Sequence, residues 1–257
     1  MKWLDQNFKR LAGIGLALVV LGGAVAVLTG PGVVRGFWTY GTGFMVVRWA
    51  AYAAGGGGVL CLLSVLVALR AHGGKAFAQA PMGVAGIVLA LIVVGIPYVA
   101  ALPGNPPIHD ITTDIEDPPA FVDTLKLREE AKATNPAEYL GEMTRGDRHI
   151  KVTELQKQFF GDIAPVNLNI PPADAFARAA KAVRDLNWTV TAEKPDEGRI
   201  EAFDRTKWFG FVDDVVIRIR PNGDGSRVDI RSVSRVGTGD RGLNAQRIRK
   251  FIRALSA

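Results

Sequence analysis

The chain has 257 residues, is 48% hydrophobic and 22% charged, and carries a formal net charge of +6. Residues 1–103 hold seven Lys/Arg against one acid, Asp5, whereas residues 104–257 hold 24 of each sign. The positive excess thus belongs to the apolar first part. That excludes nucleic-acid binding, which needs a basic folded domain, and it excludes a simple soluble protein.

Three uncharged runs come first: residues 11–29, 49–69 and 84–102. A bilayer core of about 30 Å is spanned by about 20 apolar helical residues, and none of the runs shows a polar face. They read as three transmembrane helices forming a membrane anchor over residues 1–103. A signal peptide is the other reading of the first run: Lys2, Lys9 and Arg10 precede it and Ala24-Val25-Ala26 fits a cleavage site, although the apolar run continues beyond that site. Cys61, the one cysteine, lies in the second run, which excludes an intrachain disulfide and a cysteine-based zinc site.

Lys2, Lys9, Arg10, Arg70 and Lys75 fall on one side of these spans, and only Arg35 and Arg48 in the loop 30–48. The segment after the third run contains Asp110, Asp114, Glu116, Asp117 and Asp123 and no base before Lys126. The positive-inside rule then predicts a multi-pass protein of the inner membrane with its C-terminal domain in the periplasm. Ala51/Gly55 and Ala54/Gly58 have the spacing that lets helices pack closely, with each other or with another membrane protein. No acid or base lies inside the runs, so no ion path is expected.

Residues 104–146 read as an extended, acidic, proline-rich linker and residues 147–257 as a soluble domain. Helix is expected at Lys151–Phe160 and strand at Val166–Ile170. Pro171-Pro172 opens a helix with Phe176, Ala180, Val183 and Leu186 on one stripe. Strands follow at 188–194, 199–205, 211–220 and 226–236, and a last helix carries Ile248, Phe251, Ile252 and Leu255. The order β-α-β-β-β-β-α predicts an α+β two-layer domain, an antiparallel sheet with both helices on one face, helix-grip-like.

Asn222-Gly-Asp-Gly225 is a hairpin signal. If Arg220 faces Arg227, then Arg218 faces Asp229 and Val216 faces Arg231. Those charges lie away from the helices, as a solvated face of cross-strand pairs or as a partner-binding face. On the helix side Asp213 opposes Ser234, close to the loop Gly237–Gly242, and Asn244 points inward. Asp213, Ser234, Arg235, Asp240, Asn244 and Arg247 are therefore the candidate ligand-binding residues. They form either a hydrogen-bonded plug, with Asp213 accepting from Ser234, Thr238 or loop amides, or a small polar site.

Gly237-x-Gly239-x-x-Gly242 matches a dinucleotide fingerprint, but fifteen residues leave no room for a second strand and its acid. A weaker reading is an anion held at the last helix beside Arg235, Arg241 and Arg247. His109, Asp110, Asp114, Glu116 and Asp117 lack an EF-hand pattern, and no metal or other cofactor is expected. No nucleophile–base motif occurs, so no catalytic residue is assigned.

Ile108-His-Asp-Ile-Thr-Thr-Asp114, Gly198-Arg-Ile-Glu-Ala202, Trp208-Phe-Gly-Phe211, Asp213-Asp-Val-Val-Ile-Arg218, Val228–Gly237 and Asp240-x-Gly242-x-Asn244-x-x-Arg247-Ile248 occur in that order. Together they resemble the domain of unknown function 1499 family over about residues 105–255, with Arg241 standing where an apolar residue is usual. The resemblance implies no activity, only a domain often joined to membrane helices. The strand–helix order is also similar to helix-grip domains of an outer-membrane assembly lipoprotein, and fold alone does not set function. The expectation is a membrane-anchored, non-enzymatic periplasmic module that binds or scaffolds an envelope component. The alternative is a hydrolase or a small-ligand or anion binder using the polar cluster. The partners expected are the lipid bilayer and a membrane or envelope protein, with no nucleic acid.

Overall fold

A computed structural model describes residues 2–96 and 104–256. The chain divides into two units, Met1–Leu102 with Lys207–Gly210, and Pro103–Thr206 with Phe211–Ala257.

In the first unit, α1 (Lys2–Val34) and α2 (Tyr40–His72) are each 33 residues long. At 1.5 Å per residue each reaches about 50 Å, more than a bilayer core requires. Two helices are thus long and apolar enough to cross a membrane. The link between them is far shorter than the expected loop 30–48. Thr39 caps α2 by accepting from the Thr42 amide, so the helix starts well before Arg48. Arg48 marks the edge of the apolar stretch and not the end of a helix. The third run gives a shorter apolar helix, Pro81–Gly95, formed by α3 (Pro81–Ala90) and a π turn, Leu91–Gly95. Residues 97–102 of the expected span 84–102 lie outside the described residues.

The small residues of α2 pack on their neighbours, and of the expected pairs Ala54/Gly58 takes part while Gly55 does not. A Cβ on Gly15 would lie 2.6 Å from the Gly57 carbonyl oxygen, and one on Gly22 would lie 2.7 Å from that of Ala50. Ala50, Ala54 and Gly57 therefore face α1, while Gly58 faces Ala90 of α3 and Gly55 meets nothing within 4 Å. The i, i+4, i+7 spacing keeps the first three on one face of a 3.6-residue helix.

The second unit contains β1 (Asp110–Thr112), α4 (Thr124–Glu130), β2 (Glu142–Arg145), β3 (Arg148–Lys151) and α5 (Val152–Phe159). There follow β4 (Val166–Leu168), α6 (Pro172–Asp185), β5 (Thr189–Lys194), β6 (Arg199–Arg205), β7 (Val212–Asn222), β8 (Gly225–Ser234) and α7 (Leu243–Ser256). The sheet order is β1-β8-β7-β6-β5, with β4 also on β8 and every pairing antiparallel. The fold is α+β. Phe176 and Val183 of α6 and Ile248 and Phe251 of α7 share one core with Ile200, Val215, Ile217 and Ile230. Arg220 pairs with Arg227, Arg218 with Asp229 and Val216 with Arg231, as the turn implies. The hairpin closes through Gly223, whose φ of +57° suits a residue without Cβ.

The other face of the sheet is not solvated. Residues 110–136 lie across it, mostly without regular structure, starting where Asp110 pairs with Val233. Asp214, Asp229 and Glu201 are 0% exposed and Arg231 is 2% exposed. Phe121 packs on Val216 and Val233, and the guanidiniums of Arg128 and Arg231 lie 5.9 and 5.4 Å from its ring. The expectation of a solvated face fails because charges on a strand ordinarily signal water; here Asp214 and Arg231 find opposite charges in the covering segment, Asp229 is met by arginines of the sheet itself, and Glu201 by Arg199 and amides of the segment.

Candidate functional site

The alternation of β7 and β8 and the stripe of α7 bring five of the six candidates together on the helix side. Asn244, fully buried, uses all its capacity: Nδ2 donates to the His109 carbonyl (2.9 Å) and Ser234 Oγ (3.0 Å), while Oδ1 accepts from Ser232 Oγ (2.6 Å) and Arg247 Nη1 (2.7 Å). Arg247 Nη2 also donates to Asp213 Oδ2 at 2.8 Å and Asp204 Oδ2 at 3.0 Å. The partner of Asp213 is therefore Arg247 and not Ser234, Thr238 or a loop amide. A charge-assisted bond to a buried guanidinium satisfies a buried carboxylate better than a hydroxyl does.

Asp240 Oδ1 accepts from the Gly242 amide (2.8 Å) and Oδ2 from the Asn244 amide (2.6 Å). The N-terminus of α7 thus already holds an anion, supplied by the chain itself. Arg235, the sixth candidate, does not join the cluster. It follows Ser234, so alternation turns it to the opposite face, where Nη2 meets Asp214 Oδ1 at 2.7 Å and Nε lies 3.0 Å from both carboxylate oxygens.

That opposite face carries an ionic lattice that extends the expected cross-strand pairs into the covering segment. Arg231 makes a bidentate pair with Asp110, at 2.9 and 2.7 Å. Asp114 accepts from Arg227 at 2.6 Å and from Arg218 at 3.3 Å. Arg128 Nη1 lies 2.5 Å from Asp214 Oδ2. Among the described residues no group of three or more His, Cys, Asp or Glu could hold a metal ion. Asp110 and Asp114 are taken by arginines.

Beside the cluster opens a pocket of about 240 Å³. It lies where β1 and the segment 134–144 meet, and His109, Asp110, Tyr139 and Thr238 help to line it. The sequence singled out His109 only as a possible metal ligand beside the acids that follow it, and Tyr139 not at all, a lone tyrosine in a segment without periodicity.

Burial lifts the Asp240 carboxyl to about 6, against the two amides that favour its ionised form. Between the ordinary carboxylate value and 6 the native state holds a proton that the unfolded chain has released. Asp240 therefore adds stability below that window, and the contribution disappears as pH rises through 6, by about 3 kcal/mol in all. Burial lowers the His109 pKa, which acts with the opposite sign by weakening the fold as pH falls. Comparison with Asp240→Asn removes the His109 contribution. Between pH 4.5 and 7 the native protein should lose melting temperature relative to that variant, and parallel curves would contradict the assignment.

A search of curated proteins returned no match. The family model described as Protein of unknown function (DUF1499) matches residues 110–255, from the start of β1 to the last turn of α7. The match therefore includes the covering segment, the ionic lattice and the closed cluster together, and the chain belongs to that family.

Proposed function

We propose that the chain is a membrane-anchored, non-enzymatic module of the cell envelope that binds or scaffolds another envelope component. The observation that carries this reading is the closure of the polar cluster. Asp213, Asn244, Arg247 and Asp240 are engaged with one another, with neighbouring side chains and with loop amides, so no nucleophile stands beside a free base. The alternative, a hydrolase or a ligand binder working through that cluster, draws no support from groups already paired.

The two long apolar helices support the tether. In this reading the apolar stretch from Pro81 crosses as a third span, and the C-terminal domain lies in the periplasm. Lys2, Lys9, Arg10, Arg70 and Lys75 then face the cytoplasm, against Arg35 and Arg48 outside. The acidic exit segment adds nothing to this orientation, because Asp110, Asp114 and Asp117 are neutralised by arginines of the sheet. A reporter that fluoresces only in the cytoplasm, fused after Ala257, should stay dark, and one active only in the periplasm should be active. Fluorescence of the first would reverse the topology and remove the envelope role.

A further inference from the structure

The pocket beside β1 is built differently from the closed cluster next to it. His109 is 8% exposed, yet its Nδ1 has no hydrogen-bond partner among the described residues, and neither does the buried hydroxyl of Tyr139. Buried polar atoms are almost always paired. Of the three such atoms among the described residues, these two belong to residues lining one cavity of about 240 Å³, while the third, Arg218 Nε, lies in the ionic lattice. The neighbouring groups are fully matched, down to each lone pair and proton of Asn244, so a general looseness of packing is no explanation.

The lining sets the chemistry of what fits. Leu140, Met143 and Val152 supply an apolar wall. The phenol is pushed up to about 12, mainly by burial, so it stays protonated and has an O–H to donate. Burial keeps His109 neutral, with one N–H and one lone pair on its ring. No Lys or Arg lines the cavity, while Asp110, Glu138 and Glu142 do, which disfavours an anion. A cation is not favoured either. Asp110 is neutralised by Arg231, whose guanidinium sits 5.4 Å from the Tyr139 ring, and Glu138 and Glu142 are exposed, where water and salt screen their charge.

We infer that this pocket is a binding site for a small uncharged molecule that pairs a carbonyl or hydroxyl oxygen with a short apolar body, the oxygen being held by Tyr139 and His109. The inference is independent of the scaffolding role, since it uses no residue of the closed cluster and no particular topology.

The test uses the full chain in detergent micelles and N-acetylalanine methylamide, a neutral diamide, as probe. Acetate and ethylammonium serve as the anionic and cationic counterparts. Saturation-transfer NMR should report binding of the diamide and not of the charged probes. Tyr139→Phe removes only the hydroxyl and should weaken binding at least tenfold without lowering the melting temperature, because that hydroxyl has no partner to lose. Met143→Trp fills the cavity and should abolish binding. No transfer from the diamide to the native protein would overturn the inference. So would equal transfer to both variants, or stronger binding of either charged probe.

Discussion

Asp214→Ala is expected to destabilise the C-terminal unit by about 3–5 kcal/mol, because it leaves two guanidiniums buried without a counter-charge. Arg128 approaches Asp214 at 2.5 Å and Arg235 grips both its oxygens, and the aspartate is 0% exposed. For a domain of this size the loss corresponds to a fall of roughly 10 °C in melting temperature. Thermal unfolding of the detergent-solubilised chain, followed by sheet circular dichroism, measures it. Asp214→Asn retains an acceptor and should lose less. Replacing Asp214, Arg128 and Arg235 together by apolar residues of similar volume should recover most of the stability, since the desolvation of all three charges disappears with their attraction. A change below about 0.5 kcal/mol for Asp214→Ala would mean that the pair is bathed in water, as a surface pair is.

Glu201→Ala has a comparable expected effect but a local signature. Glu201 projects from β6 into the covering segment, where it accepts from the amides of Val122 (2.8 Å), Asp123 (3.2 Å) and Thr124 (2.7 Å) and from Arg199. Its carboxylate thus holds the chain at the point where α4 begins, and Arg199 is tied in turn to Asp123 at 2.8 Å. Alanine leaves three amides without an acceptor, about 3–5 kcal/mol, while Arg199 keeps Asp123 and Glu197. The segment over the sheet should then open before the sheet does. Hydrogen exchange at residues 122–124 is expected to accelerate by about 10²-fold or more while β7 and β8 stay protected. A uniform rise over the whole unit would show that the segment is not separately held by this side chain.

The sheet and its two covering helices were legible in the sequence because both signals are local. Alternation in β7 and β8 sorts side chains between faces, and a two-residue hairpin loop leaves one register open. The cluster was legible for the same reason, since Asp213, Ser234 and Asn244 follow from register and helical stripe alone. Arg235 fails on that same argument: it sits one position beyond Ser234 and so cannot share its face. Arg247 was named beside a bound anion, but that its anions are the side chains of Asp213 and Asp204 needs the helix placed against the sheet.

The covering segment was not legible as structure. It has no period, three prolines and a short helix of its own, and its partners lie up to 123 positions away in the chain. One compositional signal did point to it. Five acids occur between residues 103 and 125 without a base, while Arg199, Arg218, Arg220, Arg227, Arg231 and Arg235 share one face of the sheet. Read together, those two facts describe complementary surfaces.

The pairing of β1 with β8 sets an order on how the domain comes into being. β1 is made first and its neighbour last among the strands, so the loop to be closed is nearly the whole length of the domain. Such closures are slow compared with hairpins. Until β8 exists, Asp110, Asp114 and their neighbours wait as a solvated acidic tail, a composition that resists premature collapse and association. The arginine row has no such protection, and it is completed only as β7 and β8 zip together. On this topology the charged clasp can close only once β8 is made, and a chain cut short before β8 leaves the clasp with nothing to fasten to.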